Sequence, residues 1–145
     1  MLATVPFDSF PHALANLCAQ GLEVQMVLEL CDLGSLRTGL EIGFLLTRDG
    51  QVNYLGMLDL AIGIASGMLH LHKLNILHGD LKAQNVLLKS TGSEACGVTP
   101  KLADFGLSVQ LSRSETHVSS MCQGTPSHMA PEVLLSGRQS KASDV

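Results

Sequence analysis

The sequence is poor in aromatic and charged side chains. Among its 145 residues it has no Trp, one Tyr and four Phe, and 15% of its residues are charged. Hydrophobic residues still make up 46% of the chain, so a sizeable core can form. At this length we predict one modest domain.

Blocks of basic residues are also missing. The nine Lys and Arg residues are scattered, and the formal net charge is -4. Proteins that bind nucleic acid or anionic membranes usually concentrate their basic residues, so we expect no nucleic-acid partner. The apolar stretches look too short to span a bilayer, and no charged segment precedes an apolar one at the start. We therefore expect no membrane segment and an intracellular, cytoplasmic location.

Closely spaced cysteine pairs are absent as well. The four cysteines are far apart in the sequence, at Cys18, Cys31, Cys96 and Cys122. Zinc sites and disulfide frameworks usually show C-x-x-C pairs or regular spacings. The pattern predicts four free thiols.

The clearest element is a helix over residues 55–72. Apolar residues and one His recur there at three- and four-residue spacing, which predicts one buried face: Leu55, Leu58, Ile62, Ala65, Leu69 and His72. Gly63 and Gly67 interrupt this helix. Each costs roughly 1 kcal/mol relative to Ala unless close packing requires a glycine.

The other predicted elements are short and are joined by turns. They are a helix over 13–20, a buried strand over 25–30, a helix capped by Ser35, a turn at Asp49-Gly50, strands over 86–88 and 101–103, and an exposed Ser-rich loop over 108–123.

Four motifs stand in a fixed order in the remaining sequence. They are H-x-D-L-K-x-x-N at residues 78–85, D-F-G at 104–106, G-T-P-x-x-M-A-P-E at 124–132 and S-D-V at 143–145. Each is weak alone, but their order and spacing resemble the eukaryotic protein kinase family. Lys82 and Thr125 resemble its serine/threonine members, and the loops look most like the tyrosine-kinase-like group.

The resemblance implies an α+β, protein-kinase-like fold that is only partly present. Residues 25–145 would form the hinge and the first part of the mainly helical lobe, and residues 1–24 stay unassigned. The family's Gly-rich loop and its V-A-I-K lysine do not occur in this sequence. We therefore expect a domain truncated at both ends.

The same resemblance assigns catalytic functions to five residues. Asp80 would accept the proton of the substrate hydroxyl, and Lys82 would lie beside the transferred phosphate. Asn85 and Asp104 would hold Mg²⁺ through oxygen atoms. Thr125 would hydrogen-bond near the catalytic Asp and shape the segment that docks the substrate.

A nucleotide site follows from the resemblance of residues 26–31 to the kinase hinge. Leu28 would line the back pocket, and the backbones of Glu29 and Cys31 would pair with adenine. Ser35 would meet the ribose, and Leu87 would lie under the ring. The same residues are also compatible with an ordinary core strand.

The histidines have simpler interpretations. His78 is expected to pack under Phe105 rather than act as a general base. His70 and His72 are two positions apart, so they do not share a helix face and are poor joint ligands.

The expected function is ATP-dependent phosphorylation of Ser and Thr hydroxyls on a protein substrate by the parental domain. The 145-residue chain alone is expected to be inactive, because it lacks the Gly-rich loop and lysine. Two alternatives stay open. One is a pseudokinase or interaction module. The other is an aminoglycoside-type phosphotransferase, whose loop also reads H-G-D-x-x-x-x-N but which lacks the 124–132 docking segment.

Gly79 stands where many kinases carry an Arg that pairs with a phosphate on the activation loop. Glycine offers no such partner, so we predict no phosphate switch through this position. Arg113 is an alternative partner for the phosphate.

Overall fold

A computed structural model describes residues 27–92, 97–112, 114–119 and 123–145. The predicted helix over 13–20, the start of the predicted strand over 25–30, Arg113 and the cysteines Cys18, Cys96 and Cys122 lie outside these ranges. The helices are α1 (Leu36–Glu41), α2 (Tyr54–Lys73) and α3 (Pro131–Ser136). The strands are β1 (Ile76–Leu77), β2 (Val86–Ser90), β3 (Val98–Leu102), β4 (Val109–Gln110), β5 (His117–Val118) and β6 (Gln139–Ser140).

The strands form three antiparallel pairs. The longest pair joins β2 to β3, from Val86 opposite Leu102 to Ser90 opposite Val98. The shorter pairs join β1 to β4 and β5 to β6. This mixture of helices and small sheets confirms the predicted α+β class, and β2 and β3 confirm the predicted strands with different ends.

Helix α2 confirms the prediction for residues 55–72 and adds one residue at each end. It begins after Asn53, whose side chain accepts a hydrogen bond from Gly56 N at 3.0 Å. The predicted buried face is wrong, however. Leu55 and Ile62 are 77% and 64% exposed, whereas Leu60 and Met68 are buried.

Close contact with β3 explains why the other face of α2 is buried. A Cβ atom at Gly63 would lie 2.6 Å from Pro100 Cγ, and one at Gly67 would lie 2.9 Å from Leu102 Cδ1. The helix therefore approaches β3 along its glycines. Leu60 and Met68 lie on this buried side, but equally large residues such as Leu55 and Ile62 recur on the opposite side. Apolar periodicity alone therefore does not identify the buried face.

Helix α2 also bears on the membrane prediction. It has 20 residues with a mean hydropathy of 1.4, so its length and composition would allow it to cross a bilayer. The expectation that every apolar stretch is too short is therefore wrong. The core helix of a soluble protein can pass the same test, so one such helix is weak evidence for a membrane span.

The predicted buried strand over 25–30 is wrong in its described part. Residues 27–30 have no regular secondary structure, and Val27 is 82% exposed. A strand needs a partner for its backbone groups, and no described strand pairs with these residues. An apolar run alone does not supply that partner.

Two of the short predicted elements are confirmed. Ser35 caps α1, and its side chain accepts a hydrogen bond from Thr38 N at 3.2 Å. A turn forms at Asp49-Gly50, where Gly50 N donates to Thr47 O at 2.9 Å and Gly50 has a φ of 74°.

The predicted loop over 108–123 contains more structure than expected. It includes β4 and β5, and Leu111 is buried. The strands form because β1 and β6, both distant in sequence, supply their hydrogen-bonding partners.

Candidate active site

The loop after β1 is held in place at His78, which is fully buried. Its backbone N donates to Asp144 Oδ2 at 2.8 Å, and its Nε2 lies 3.1 Å from Ala103 O. Its ring centroid lies 5.2 Å from that of Phe105. These contacts match the expected packing of His78 beside Phe105.

Asp144 fixes the start of the same loop. Its Oδ1 accepts a hydrogen bond from Gly79 N at 2.7 Å, and its Oδ2 lies 2.9 Å from His72 Nε2. Sequence reasoning placed Asp144 in the last family motif but gave it no function. Nothing in local spacing indicates a contact 65 residues back along the chain.

Asp80, Lys82 and Thr125 form a closed triangle of hydrogen bonds. Lys82 Nζ donates to Asp80 Oδ2 at 2.5 Å and to Thr125 Oγ1 at 2.7 Å. The Thr125 hydroxyl and backbone N both donate to Asp80 Oδ1, at 2.7 and 2.9 Å. Three residues predicted to be catalytic are therefore in direct contact.

Opposing effects determine the pKa of Asp80. Burial raises the pKa of its carboxyl, but the hydrogen bonds from Lys82 and Thr125 and the Lys82 charge lower it. The net pKa lies below the ordinary value of 3.8. Asp80 is therefore ionised at neutral pH and can accept a hydrogen bond from a hydroxyl group.

Asn85 is buried and orients Asp80 from the other side. Its Nδ2 donates to Asp80 O at 2.9 Å and to Asp80 Oδ2 at 3.0 Å. Because the amide nitrogen makes these bonds, the amide oxygen is the atom suited to a cation. Asn85 O also accepts a hydrogen bond from Ala103 N at 2.9 Å, which brings Asp104 close to Asn85.

Asp104 is exposed and has a φ of 62°, a conformation that Asp adopts more readily than most residues. Its Oδ1 accepts a long hydrogen bond, 3.3 Å, from Gly106 N. One carboxylate and one amide oxygen suit Mg²⁺, which usually takes few protein ligands and completes its shell with phosphate and water oxygens. No cluster of three or more His, Cys, Asp or Glu ligands occurs among the described residues.

The predicted nucleotide residues lie against β2 and β3. Ser35 and Leu87 form an isolated antiparallel bridge, so these two positions are adjacent. The Glu29 carboxylate pairs with Lys89 at 2.6 Å and with Lys101 at 3.1 Å. Leu28 is exposed, and Cys31 is half-buried with a free thiol.

A family model described as protein tyrosine and serine/threonine kinase matches residues 12–145. The chain belongs to the protein kinase family. The match begins within the 1–24 segment that the motifs left unassigned.

Several curated kinases are similar to this kinase domain. It is 31% identical over 135 residues to the receptor-like serine/threonine-protein kinase ALE2 of Arabidopsis thaliana, covering 91% of this chain and 16% of that protein. It is 36% identical over 122 residues to the serine/threonine-protein kinase pakF of Dictyostelium discoideum, covering 84% of this chain and 9% of that protein. The chain thus spans about a tenth to a sixth of the length of these relatives.

Proposed function

We propose that this chain supplies the catalytic loop and the metal-binding residues of an ATP-dependent protein serine/threonine kinase. The observation that carries the proposal is the triangle in which Lys82 bridges Asp80 and Thr125. A phosphoryl transfer needs an oriented acceptor oxygen and neutralised phosphate charge. The triangle places a carboxylate and an ammonium group together for these two tasks.

In this proposal Asp80 accepts the proton of the substrate hydroxyl and holds that oxygen in line with the phosphate. Thr125 holds the carboxylate in place through two hydrogen bonds to Oδ1. Lys82 supplies positive charge beside the transferred phosphate. Asn85 and Asp104 would hold Mg²⁺, which supplies further neutralisation of phosphate charge when bound.

The nucleotide in this proposal is ATP, bound across residues 28–35 and Leu87. The backbones of Glu29 and Cys31 suit adenine, because neither makes a backbone hydrogen bond within the described residues. Leu28 would line the back of the site. Ser35 lies beside Leu87, which suits a ribose and a ring bound next to each other.

The substrate in this proposal is a protein with Ser or Thr hydroxyl groups. A cleft that is open to solvent lies beside Asp80 and is lined in part by Thr125, His128 and Met129. The cleft and the segment that follows Thr125 favour an extended peptide as the acceptor. ATP and such substrates are available in the cytoplasm, so we also propose that location.

The experiment inserts residues 12–145 in place of the matching segment of the ALE2 kinase domain. Transfer of labelled phosphate from ATP to Ser and Thr of a protein substrate is expected. It should be lost with Asp80→Asn and retained with Asp59→Asn, an exposed control on α2. A folded chimera without transfer would favour a pseudokinase, and transfer to Tyr would contradict the Ser/Thr assignment.

The 145-residue chain by itself should incorporate no phosphate into protein, because its sequence lacks the Gly-rich loop and lysine that position the phosphates. Incorporation by the purified chain that disappears with Asp80→Asn would contradict this part of the proposal.

A further inference from the structure

The segment formed by residues 28–35, here called the nucleotide segment, is not positioned by apolar burial. It contains no helix and no strand beyond the bridge at Ser35. Its large apolar side chains are exposed: Leu28, Leu30 and Leu33. Backbone hydrogen bonds fix only its far end, where Leu33 N donates to Leu88 O and Gly34 O accepts from Leu88 N.

Side-chain contacts hold the rest of the nucleotide segment against β2 and β3. Asp32 Oδ1 accepts a hydrogen bond from Ser90 N at 2.8 Å, and its Oδ2 accepts from Ser90 Oγ at 2.5 Å. Glu29 pairs with Lys89 on β2 and with Lys101 on β3. Hydrogen bonds from Ser90 lower the pKa of Asp32, and those from Lys89 and Lys101 lower that of Glu29. Both groups are therefore anions at neutral pH.

We propose that Glu29 and Asp32 are positioning residues for the nucleotide. Their side chains bond to the β2–β3 pair, so they act on the ligand only by holding the backbone between them. The inference rests on the proposed function, in which the backbones of Glu29 and Cys31 pair with adenine. Preorganising a backbone before it binds reduces the entropy lost on binding, and thus raises affinity.

The test uses the 145-residue chain with two variants, Asp32→Ala and Glu29→Gln. The affinities for adenosine and for inorganic tripolyphosphate with Mg²⁺ are measured, together with hydrogen exchange at the Leu33 amide. Each variant should weaken adenosine binding roughly threefold, as expected for an exposed polar contact, and the double variant about tenfold. Tripolyphosphate affinity should not change. Leu33 exchange should accelerate in both variants.

Glu41→Gln is the matched control. Glu41 Oε1 lies 2.6 Å from Arg37 Nε, and this exposed pair lies outside the nucleotide segment. The Glu41→Gln variant should change neither affinity nor Leu33 exchange. Ser90→Ala should have a smaller effect than Asp32→Ala, because it removes the hydrogen bond from Ser90 Oγ but keeps the one from Ser90 N. Adding Ser90→Ala to Asp32→Ala should cause no further loss. A double variant that swaps the two charges, Glu29→Lys with Lys89→Glu, should recover part of the adenosine affinity that is lost in Glu29→Lys alone.

Two results would overturn the inference. One is unchanged Leu33 exchange together with unchanged adenosine affinity in the double variant. The other is an equal loss of adenosine and tripolyphosphate affinity, which would indicate general unfolding. If the unaltered chain binds neither ATP nor adenosine, the proposed nucleotide site fails. Leu33 exchange then still decides whether Glu29 and Asp32 hold the segment.

Discussion

Asp144 Oδ1 accepts a hydrogen bond from Gly79 N at 2.7 Å, across 65 positions of the chain. The same carboxylate accepts from His78 N and lies 2.9 Å from His72 Nε2. One buried side chain therefore ties together helix α2, the loop after β1 and the segment that contains Asp144. The orientation of Asp80 depends on these hydrogen bonds, because they fix the backbone of His78 and Gly79, the two residues immediately before Asp80.

Asp144→Asn should destabilise the protein by about 1–3 kcal/mol. The amide keeps one acceptor oxygen but points its NH₂ group at backbone N–H donors, which leaves buried donors unsatisfied. The free energy of unfolding in urea measures this loss. Asp59→Asn, an exposed control on α2, should change it by less than about 0.5 kcal/mol. Equal effects of the two changes would contradict the account.

Thr125→Val should raise the pKa of Asp80, because it removes the hydroxyl that donates to Oδ1. The pKa of Asp80 is lower in the folded protein than in the unfolded chain, so ionised Asp80 stabilises the fold at pH values above the unfolded-state pKa. This stabilisation is lost as the pH falls through the folded-state pKa. Because the variant has the higher folded-state pKa, it should lose the stabilisation at a higher pH. A carboxyl ¹³C NMR titration measures the pKa.

Ser127→Ala is the control for this titration. The Ser127 hydroxyl lies 3.0 Å from His128 Nδ1 and forms no bond to Asp80. It should leave the Asp80 pKa unchanged. An Asp80 pKa that stays constant or falls in Thr125→Val would show that the hydroxyl does not stabilise the carboxylate.

Gly63→Ala and Gly67→Ala should each destabilise the protein by about 1–3 kcal/mol, the usual cost of overpacking. In an open helix the same change would stabilise it by roughly 1 kcal/mol. Contact with Pro100 and Leu102 reverses the sign. Urea unfolding measures the effect, with Gly92→Ala as a control, because a Cβ at Gly92 would meet nothing within 4 Å. A stabilised Gly63→Ala chain would show that α2 does not approach β3 this closely.

Negative charge at Thr116 should not increase the order of β5. Gly79 has a φ of 82°, and a Cβ there would lie 2.6 Å from Leu107 O, so this position offers no basic side chain. Strand β5 instead pairs with β6, His117 opposite Ser140 and Val118 opposite Gln139. Hydrogen exchange of the His117 and Val118 amides should therefore be the same in Thr116→Glu and the unaltered chain. A tenfold slowing would indicate that another basic residue binds the charge.

The elements that could be predicted from the sequence are those that depend on residues close together in the chain. The Ser35 cap, the Asp49-Gly50 turn and helix α2 depend on neighbouring residues, and the structure contains all three. The order of the kinase motifs identifies the family for the same reason, since each motif is a short run. The buried face of α2 could not be predicted, because large apolar residues recur on both sides of the helix and the contact of its glycines with β3 selects one side.

Apart from the Thr125–Asp80 and His78–Phe105 contacts, which the family resemblance implied, contacts between distant residues could not be predicted. Asp144 reaches Gly79, and Glu29 pairs with Lys89 and Lys101, across about sixty positions or more. Charged residues at such separations carry no spacing that marks them as partners. The strand expected over 25–30 failed for a related reason, because a strand is stabilised by a neighbour that the run itself does not specify.

The central claim is that Asn85 and Asp104 hold a metal-bound nucleotide beside Asp80. The most direct measurement adds Mn²⁺ and ATP to the 145-residue chain and records the broadening of its amide NMR signals. Signals of Asn85 and of residues 103–106 should broaden only when both are present. Asp104→Asn should abolish the effect, and Asp59→Asn should not. Broadening that is centred elsewhere, or that does not depend on ATP, would contradict the account.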